Sequence, residues 1–185
     1  MRRPVDPAEA QGGQARDDGL TDELTRLMGE GTQNPHELRL RLPAAHSHGR
    51  MGRQVLRKFA ENEGLPDEEL STLEFVADEL MTNAIDHGGG NAAREEADLV
   101  GDVRMTIELV IRDDVWKLRV EDQGGGSPED VAHIVGTDAL PDLEDERGRG
   151  FFLMGPMVDD LNVEKSRDGR GLAFVATKRY GPAAG

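Results

Sequence analysis

The sequence predicts an α+β protein, a two-layer sandwich of helices packed on one mixed, mainly antiparallel sheet. Three short segments, residues 38–42, 103–111 and 116–120, alternate apolar and polar residues, which is the period of a strand with one buried face. Two further segments with apolar residues, 161–163 and 172–175, flank a turn and indicate a closing hairpin. Two other segments, residues 51–60 and 70–85, repeat their apolar residues at the spacing of an amphipathic helix. Their order is strand–helix–helix–strand–strand–helix–strand–strand, which suits helices packed against a single sheet.

The 185 residues suit one folded domain with tails. Residues 1–35 are rich in Gly, Asp, Gln, Pro and Ala with scattered charge, a composition typical of disorder. We therefore predict a disordered tail over residues 1–35, a folded domain over residues 36–181 and a short tail over residues 182–185.

Charge and cysteine content narrow the possible sites and partners. The chain has no cysteine, which excludes disulfides, zinc–thiolate sites and thiol catalysis and favours the reducing cytoplasm. No apolar run approaches the length that crosses a bilayer, and the N-terminus lacks the apolar stretch of a signal peptide, so no membrane association is expected. The formal net charge of −15 argues against direct binding to nucleic acid. It leaves open whether the acidic surface only aids solubility or also attracts a basic protein partner.

The first part of the folded region is predicted to hold one strand and two helices. Leucines alternate with arginines over residues 38–42, which indicates a short strand. Ser47 is placed to cap the first helix, and the Gly-Leu-Pro run at residues 64–66 ends that helix. Asp67 is the expected cap of the second helix, which the glycines after His87 terminate.

The middle of the chain is predicted to form a β-hairpin after a polar loop. Residues 88–102 are polar and Gly-rich, as in a mobile loop. Residues 103–111 and 116–120 then alternate apolar and polar side chains, with Asp113 and Asp114 in the turn between them. One face of this hairpin is therefore expected to be buried.

A third helix and a second hairpin are predicted to complete the fold. The stretch over residues 121–150 is Gly-rich and acidic, and the apolar residues over 151–158 indicate a helix. Apolar residues in the segments 161–163 and 172–175 indicate two strands, joined by a turn at Asp168 and Gly169.

Polar residues on the second helix form the first candidate site. Glu79, Asn83 and His87 are spaced i, i+4 and i+8, so they share one helical face. A carboxylate and a carboxamide oxygen one turn apart suit a hard cation such as Mg²⁺, held mainly through waters and phosphates. A solvated polar face on an amphipathic helix explains the same spacing.

A glycine-rich turn after the hairpin forms the second candidate site. Asp122 follows a strand directly and is succeeded by Gly124 and Gly126. A carboxylate there can accept a hydrogen bond from an exocyclic amine such as that of adenine, and glycines let the backbone approach a ligand. A flexible loop is the plainer alternative.

A basic, glycine-rich helix start forms the third candidate site. Backbone N–H groups at a helix N-terminus bind phosphate, and arginines add charge complementarity. An ordinary helix start with basic neighbours is the alternative. The residues concerned are Arg147, Gly148, Arg149, Gly150 and the following Phe151.

These three motifs, in this order over residues 37–180, resemble the N-box, G1 and G2 motifs of the ATPase superfamily of gyrase, heat-shock chaperone, histidine kinases and mismatch-repair proteins (GHKL). The Walker motif of P-loop nucleotide-binding proteins is absent. Within the superfamily, the compact pattern is most similar to the anti-sigma-factor serine/threonine kinases.

The resemblance implies a role for each motif. Glu79 would be the general base for the hydroxyl of a protein substrate, Asn83 would hold Mg²⁺, and Asp122 would read adenine. Residues 127–147 would form a lid over the nucleotide. The complete set of expected ATP-binding residues is Asn83, Asp86, His87, Asp122, Gly124, Gly126, Arg147, Gly148, Arg149, Gly150, Phe151 and Thr177.

The resemblance also implies partners. The substrate would be a serine or threonine of a small antagonist protein, the anti-anti-sigma factor, and the second partner would be an RNA polymerase sigma factor. Family members commonly form homodimers, which is carried over as an expectation.

Departures from the family pattern keep two further readings open. Glu146 stands where some members place an arginine that contacts the terminal phosphate. An ATP-binding anti-sigma module with weak or no kinase activity fits equally well. A detached catalytic domain of a histidine kinase would need a phospho-accepting residue such as His46 or His48, but the preceding segment is too short for the usual helical hairpin.

Overall fold

The computed structural model describes residues 36–86, 103–132 and 146–181. The predicted tails over residues 1–35 and 182–185 and the predicted loop over residues 88–102 lie outside the described residues. Of the predicted lid, residues 133–145 lie outside them too.

Five strands and four helices make up the described parts of the chain. The strands are β1 (Glu37–Pro43), β2 (Arg104–Arg112), β3 (Val115–Glu121), β4 (Asp160–Lys165) and β5 (Leu172–Arg179). The helices are α1 (His46–Asn62), α2 (Asp67–Asp86), α3 (Pro128–Ala132) and α4 (Glu146–Met154), and a 3-10 turn (Gly155–Met157) follows α4. The predicted order is confirmed, and the short helix α3 is an addition to it.

The sheet has the strand order β1-β2-β3-β5-β4. The predicted α+β sandwich is confirmed, but all four pairings of the described strands are antiparallel, so the parallel component of a mixed sheet is not found among them. The helical hairpin α1–α2 explains the first pairing, because two antiparallel helices return the chain to the end of the sheet that it left. Pro43, the last residue of β1, is accordingly paired with Arg104, the first residue of β2.

The core lies between the helices and one face of the sheet. Alternate residues of the strands point into it, beginning with Leu38, Leu40 and Leu42 of β1. Helix α1 packs closely, since a Cβ atom at Gly52 would lie 3.2 Å from the Met81 side chain of α2 and from two other side chains of the core. The polar face of α2 is thereby held at a fixed position beside the sheet.

The other face of the sheet carries a network of ion pairs, and no described helix forms a second layer on it. Glu108 pairs with Arg39 at 3.1 Å and with Arg167, and Glu121 pairs with Arg119 at 2.6 Å. These two carboxylates are only 6% and 7% exposed, because the arginine side chains cover them. The fold is therefore a two-layer sandwich with one polar outer sheet face.

Two helix boundaries differ from the sequence prediction. Ala45 is the residue at the cap position of α1 and makes no side-chain capping bond, and Ser47 lies inside the helix with its Oγ 3.3 Å from His48 Nδ1. Asp67 is the first residue of α2 and places its charge in the first turn, where the helix dipole favours a carboxylate. Short-range sequence patterns locate such boundaries only to within a residue or two.

The predicted hairpin of β2 and β3 is confirmed, with both aspartates of its turn in the left-handed region. The φ angles are 54° at Asp113 and 57° at Asp114. Aspartate tolerates this region better than most residues, and two such residues match the twist of a tight hairpin. Within the described residues, no helix is both long and apolar enough to cross a lipid bilayer.

Candidate functional site

A cavity of about 250 Å³ opens where α2, α3, the loop after β3 and the start of β5 meet. It is lined by Asn83, Asp122, Gly124, Gly125, Gly126, Ser127, Asp130, Val131, Leu172 and Phe174. Polar groups, bare backbone and apolar side chains thus surround one space, which is typical of a small-molecule site.

Asp122 is fixed in this cavity by the backbone on two sides. Its Oδ1 accepts hydrogen bonds from the N–H of Gly124 at 2.9 Å and from the N–H of Leu172 at 3.1 Å. Its own N–H donates to the Leu172 carbonyl at 2.9 Å. The residue is only 6% exposed. The carboxylate is therefore preorganised, so binding of a ligand does not cost the entropy of ordering this side chain.

Glycines make this close approach possible. A Cβ atom at Gly171 would overlap the Asp122 carboxylate and lie 2.7 Å from the Asp122 carbonyl carbon. Gly125 and Gly126 have φ angles of 82° and 81°, a region that residues with a Cβ rarely adopt. Only glycine therefore fits at these three positions without strain.

The turn between β4 and β5 locks the glycine loop in place. Asp168 accepts from Ser166 Oγ at 2.9 Å, from the Arg170 N–H at 2.9 Å and from Gln123 Nε2 at 2.8 Å. Ser166 Oγ in turn accepts from the Gly171 N–H at 2.9 Å. The backbone bond from Arg170, followed by the bond from Gln123, holds the pKa of Asp168 well below its usual range. The turn is thus hydrogen-bonded to the glycine loop through Gln123. It is linked to Asp122 through the N–H groups of Gly171 and Leu172, which donate to Ser166 Oγ and to Asp122 Oδ1.

Asn83 of α2 provides an unsatisfied polar group in the cavity. It is 8% exposed, and its buried Nδ2 has no hydrogen-bond partner among the described residues. Buried amides in native proteins are almost always satisfied, and this N–H donor suits an acceptor such as a phosphate oxygen, which leaves the amide oxygen for a cation. The described residues contain no cluster of three His, Cys, Asp or Glu side chains able to hold a metal. A cation at Asn83 would therefore take its remaining ligands from phosphate and water, as Mg²⁺ with a nucleotide does, and the residues present fit Mg·ATP.

Glu79 lies one turn before Asn83 on the same face of α2 and is half-buried. Burial, and then the charge of Asp78, raises the pKa of the Glu79 carboxyl. A Cβ atom at Gly150 of α4 would lie 2.5 Å from Glu79 Oε2, so this carboxylate rests directly against α4. The first and third sequence motifs are thus brought into contact.

The remaining predicted residues fall into three groups. Phe151 is buried beneath the cavity with its ring centroid 5.2 Å from that of Phe174, which lines the cavity. Arg149 lies exposed on α4. His87 lies outside the described residues, as do the side chain of Arg147 and the surroundings of Gly148.

Asp86 and Thr177 also lie outside the cavity lining. Asp86 pairs with His46 across the ends of α2 and α1, at 3.3 Å between Oδ1 and Nε2. Thr177 lies five residues beyond Leu172 on β5, which is about 17 Å at the rise of a strand, and its carbonyl accepts from the Asp159 N–H at 2.9 Å. The ATP contacts expected of both residues stay predictions.

Sequence reasoning missed several residues that shape the cavity. Leu172 and Phe174 share a strand face, so their alternation could have placed them on the core side next to the site. Gly171 and Asp168 gave no local signal, because their roles depend on contact with Asp122 and Gln123, which are far away in the sequence.

Comparison with known proteins covers most of the folded region. The chain matches the family described as "Histidine kinase-like ATPase domain" over residues 42–177. It is 30% identical to a protein named anti-sigma F factor from Geobacillus stearothermophilus, over 78% of this chain and 93% of that protein. It is 28% identical to a protein named serine-protein kinase RsbW from Listeria monocytogenes, over 77% of this chain and 86% of that protein.

One solved structure is similar in fold. A chain in the crystal structure of the SiaB–SiaC complex from Pseudomonas aeruginosa superposes with a TM-score of 0.54 at 15% identity. The match covers 89% of this chain and 97% of that chain.

Proposed function

Because the chain belongs to the anti-sigma-factor serine/threonine kinase family of the histidine kinase-like ATPases, we propose that it is an ATP-dependent anti-sigma factor with kinase activity. It binds Mg·ATP in the cavity beside Asp122, sequesters an RNA polymerase sigma factor, and phosphorylates a serine or threonine of the antagonist that releases the sigma factor.

The observation that supports a nucleotide site is that Asp122 and Asn83 line the same glycine-rich cavity. Asp122 presents a carboxylate that the backbone has already oriented. Asn83 presents a buried N–H donor that has no partner among the described residues. A nucleotide would bring an adenine amine to Asp122, and a phosphate oxygen with its bound cation to the amide of Asn83.

Each residue then has a defined task. Asp122 accepts a hydrogen bond from the adenine amine, while the backbone at Gly124 and Gly126 leaves room for the base and sugar. Asn83 would hold Mg²⁺ through its amide oxygen. The nucleotide would supply the phosphoryl group, and the bound cation would neutralise part of its negative charge.

Glu79 is the proton acceptor in this proposal. Its carboxylate takes the proton of the serine or threonine hydroxyl while that oxygen attacks the terminal phosphorus of ATP. The bond between that phosphorus and the bridging oxygen breaks, and ADP leaves. The raised pKa of Glu79 increases its proton affinity, which favours this role near neutral pH. General-base catalysis of this kind contributes about 10²–10⁴-fold to a rate.

The partners follow from the relatives' names. One relative is named as an anti-sigma factor and another as a serine-protein kinase, each aligned over more than three quarters of this chain. The net charge of −15 suits a basic surface on at least one partner. We extend the proposal to a homodimer, in keeping with the family.

The test begins with capture of partners from the host cytoplasm on tagged protein, with and without Mg·ATP. The recovered antagonist is then offered with ATP labelled in its terminal phosphate. Glu79→Ala is expected to abolish transfer and to change ATP affinity by less than about threefold, because loss of the base affects the reaction more than binding. Transfer that survives Glu79→Ala would show that the base is a different residue.

A binding module without kinase activity is the second candidate, favoured by one feature. Glu146 stands where an arginine contacts the terminal phosphate in some members of the family. In that case the captured sigma factor would bind in a nucleotide-dependent manner, and the antagonist would remain unlabelled even with the unsubstituted protein. The same two assays therefore separate the candidates.

A further inference from the structure

Position 150 is an unusual place for glycine. Gly150 lies inside helix α4 and is buried, and its φ angle is not in the left-handed region. Alanine is a far better helix former than glycine, so neither the backbone nor helix propensity explains the choice. The reason must therefore be space.

The space at Gly150 is filled by a single neighbour. Apart from its chain neighbours and the nearby backbone of α4 itself, the only described atoms within 4 Å of a Cβ built there are Glu79 Oε2 at 2.5 Å and Glu79 Cδ at 3.5 Å. No hydrogen bond or ion pair to Glu79 occurs within the described parts of the chain. Contact with α4 is thus the main feature that fixes where this carboxylate lies.

We propose that Gly150 is a positioning residue for Glu79: the missing side chain leaves the pocket in α4 that the Glu79 carboxylate occupies, and this contact aims the carboxylate at the substrate hydroxyl. The role of the carboxylate as proton acceptor rests on the proposed function, whereas the contact itself does not.

An alanine at position 150 would displace Glu79 and leave the fold intact. The atom it meets is the far end of a flexible side chain, which can rotate away from the added methyl group. Beyond the chain neighbours and the local backbone of α4, no backbone atom and no rigid core side chain of the described residues stands within 4 Å of that position. Gly150→Ala is therefore a folded variant in which the carboxylate has moved.

This role differs from that of a glycine in a phosphate-binding turn. If Gly150 only let the α4 backbone approach the phosphates, Gly150→Ala would weaken ATP binding. If it positions Glu79, the variant keeps its ATP affinity and loses the rate of transfer. A displacement of about 1 Å in a catalytic group can lower a rate by about 10²-fold.

The experiment compares Gly150→Ala with Gly155→Ala, a matched control in the turn after α4 where no described atom lies within 4 Å of the added Cβ. The first readout needs no nucleotide: NMR titration of protein labelled at the glutamate carboxyl carbons, with the Glu79 signal identified by its loss in Glu79→Gln. The second is ATP affinity, and the third is kcat for the antagonist.

The expected result is a Glu79 pKa above the ordinary value of about 4.3 in the unsubstituted protein, a fall toward that value in Gly150→Ala, where the charge of Asp78 still acts, and no change in Gly155→Ala. ATP affinity in Gly150→Ala stays within about threefold, and kcat falls about 10–100-fold. In the Glu79→Gln background, Gly150→Ala has no further effect on kcat, because the group that it displaces is gone.

Two outcomes overturn the proposal. An unchanged Glu79 titration in Gly150→Ala shows that the residue does not position the carboxylate, whatever the kinase activity. A weakening of ATP affinity by more than about tenfold with unchanged titration assigns Gly150 to phosphate binding instead. Failure of the proposed function is distinguishable, because transfer that persists in Glu79→Gln removes the base role and leaves the titration result standing.

Discussion

Replacing Gly171 with alanine tests how β5 holds the carboxylate of Asp122. The added methyl group would overlap the Asp122 carboxylate and lie 2.7 Å from the Asp122 carbonyl carbon. At Gly150 the added methyl group meets only the Glu79 side chain, which can rotate away. At Gly171 it meets the backbone of Asp122, directly after β3, which cannot. Both β5 and the residues after β3 must therefore shift.

The size of the effect follows from two contributions. Overpacking at a well-packed position costs about 1–3 kcal/mol. Moving Asp122 also removes the buried acceptor of the Leu172 N–H, which costs about 1–3 kcal/mol. We expect a loss of about 3 kcal/mol in the free energy of unfolding, which at an m-value of about 2 kcal/mol/M lowers the urea midpoint by about 1.5 M.

The assay is urea denaturation followed by the fluorescence of Trp116, the single and fully buried tryptophan, together with ATP binding. Gly171→Ala should lower both the midpoint and the affinity for ATP, and Gly155→Ala should leave both within about 0.5 kcal/mol of the unsubstituted protein. A Gly171→Ala variant with an unchanged midpoint and unchanged ATP affinity would refute the idea that close approach of β5 orients Asp122.

Two further predictions concern the pH dependence of stability. Burial raises the pKa of Glu79 in the folded protein, so its ionised form destabilises the fold at pH 7. Glu79→Gln should therefore raise the urea midpoint at pH 7, and the gain should vanish below about pH 4, where the unfolded chain is also protonated. Hydrogen bonds lower the pKa of Asp168, so its ionised form stabilises the fold above the ordinary value of about 3.9. Asp168→Asn should therefore lower the midpoint at pH 7, and this deficit should shrink as the pH falls below about 4. Urea midpoints at pH 7 and pH 3 check both, and a pH-independent difference would contradict either one.

Local patterns were sufficient for the elements of the fold. The alternation in β1 and in the β2–β3 hairpin has a period of two residues, and the leucines of α2 recur at helical spacing, so burial on one side predicts both element types. The same patterns do not determine how strands are ordered. The position of β5 between β3 and β4 depends on which strands meet in space, and no single segment encodes it.

The candidate site was predictable only where a residue carries its chemistry in a local motif. Asp122, Gly124 and Asn83 stand in such motifs, and all three line the cavity. Gly171 and Asp168 act through contacts with residues more than 40 positions away, so nothing near them in the sequence indicates their roles. Thr177 lies on the same strand as Leu172 but near its other end, and its expected ATP contact stays a prediction.

The bond between the Leu172 N–H and Asp122 spans 50 residues, which has a consequence during protein synthesis. At about 5–20 residues per second, β5 leaves the ribosome about 3–10 s after Asp122. Until then β3 has an unpaired edge, because its neighbour on that side is β5, and such edges attract other strands. A growing chain therefore exposes an unpaired strand edge before the cavity beside Asp122 is complete. The pairing of β5 covers that edge and completes the lining of the cavity in one step.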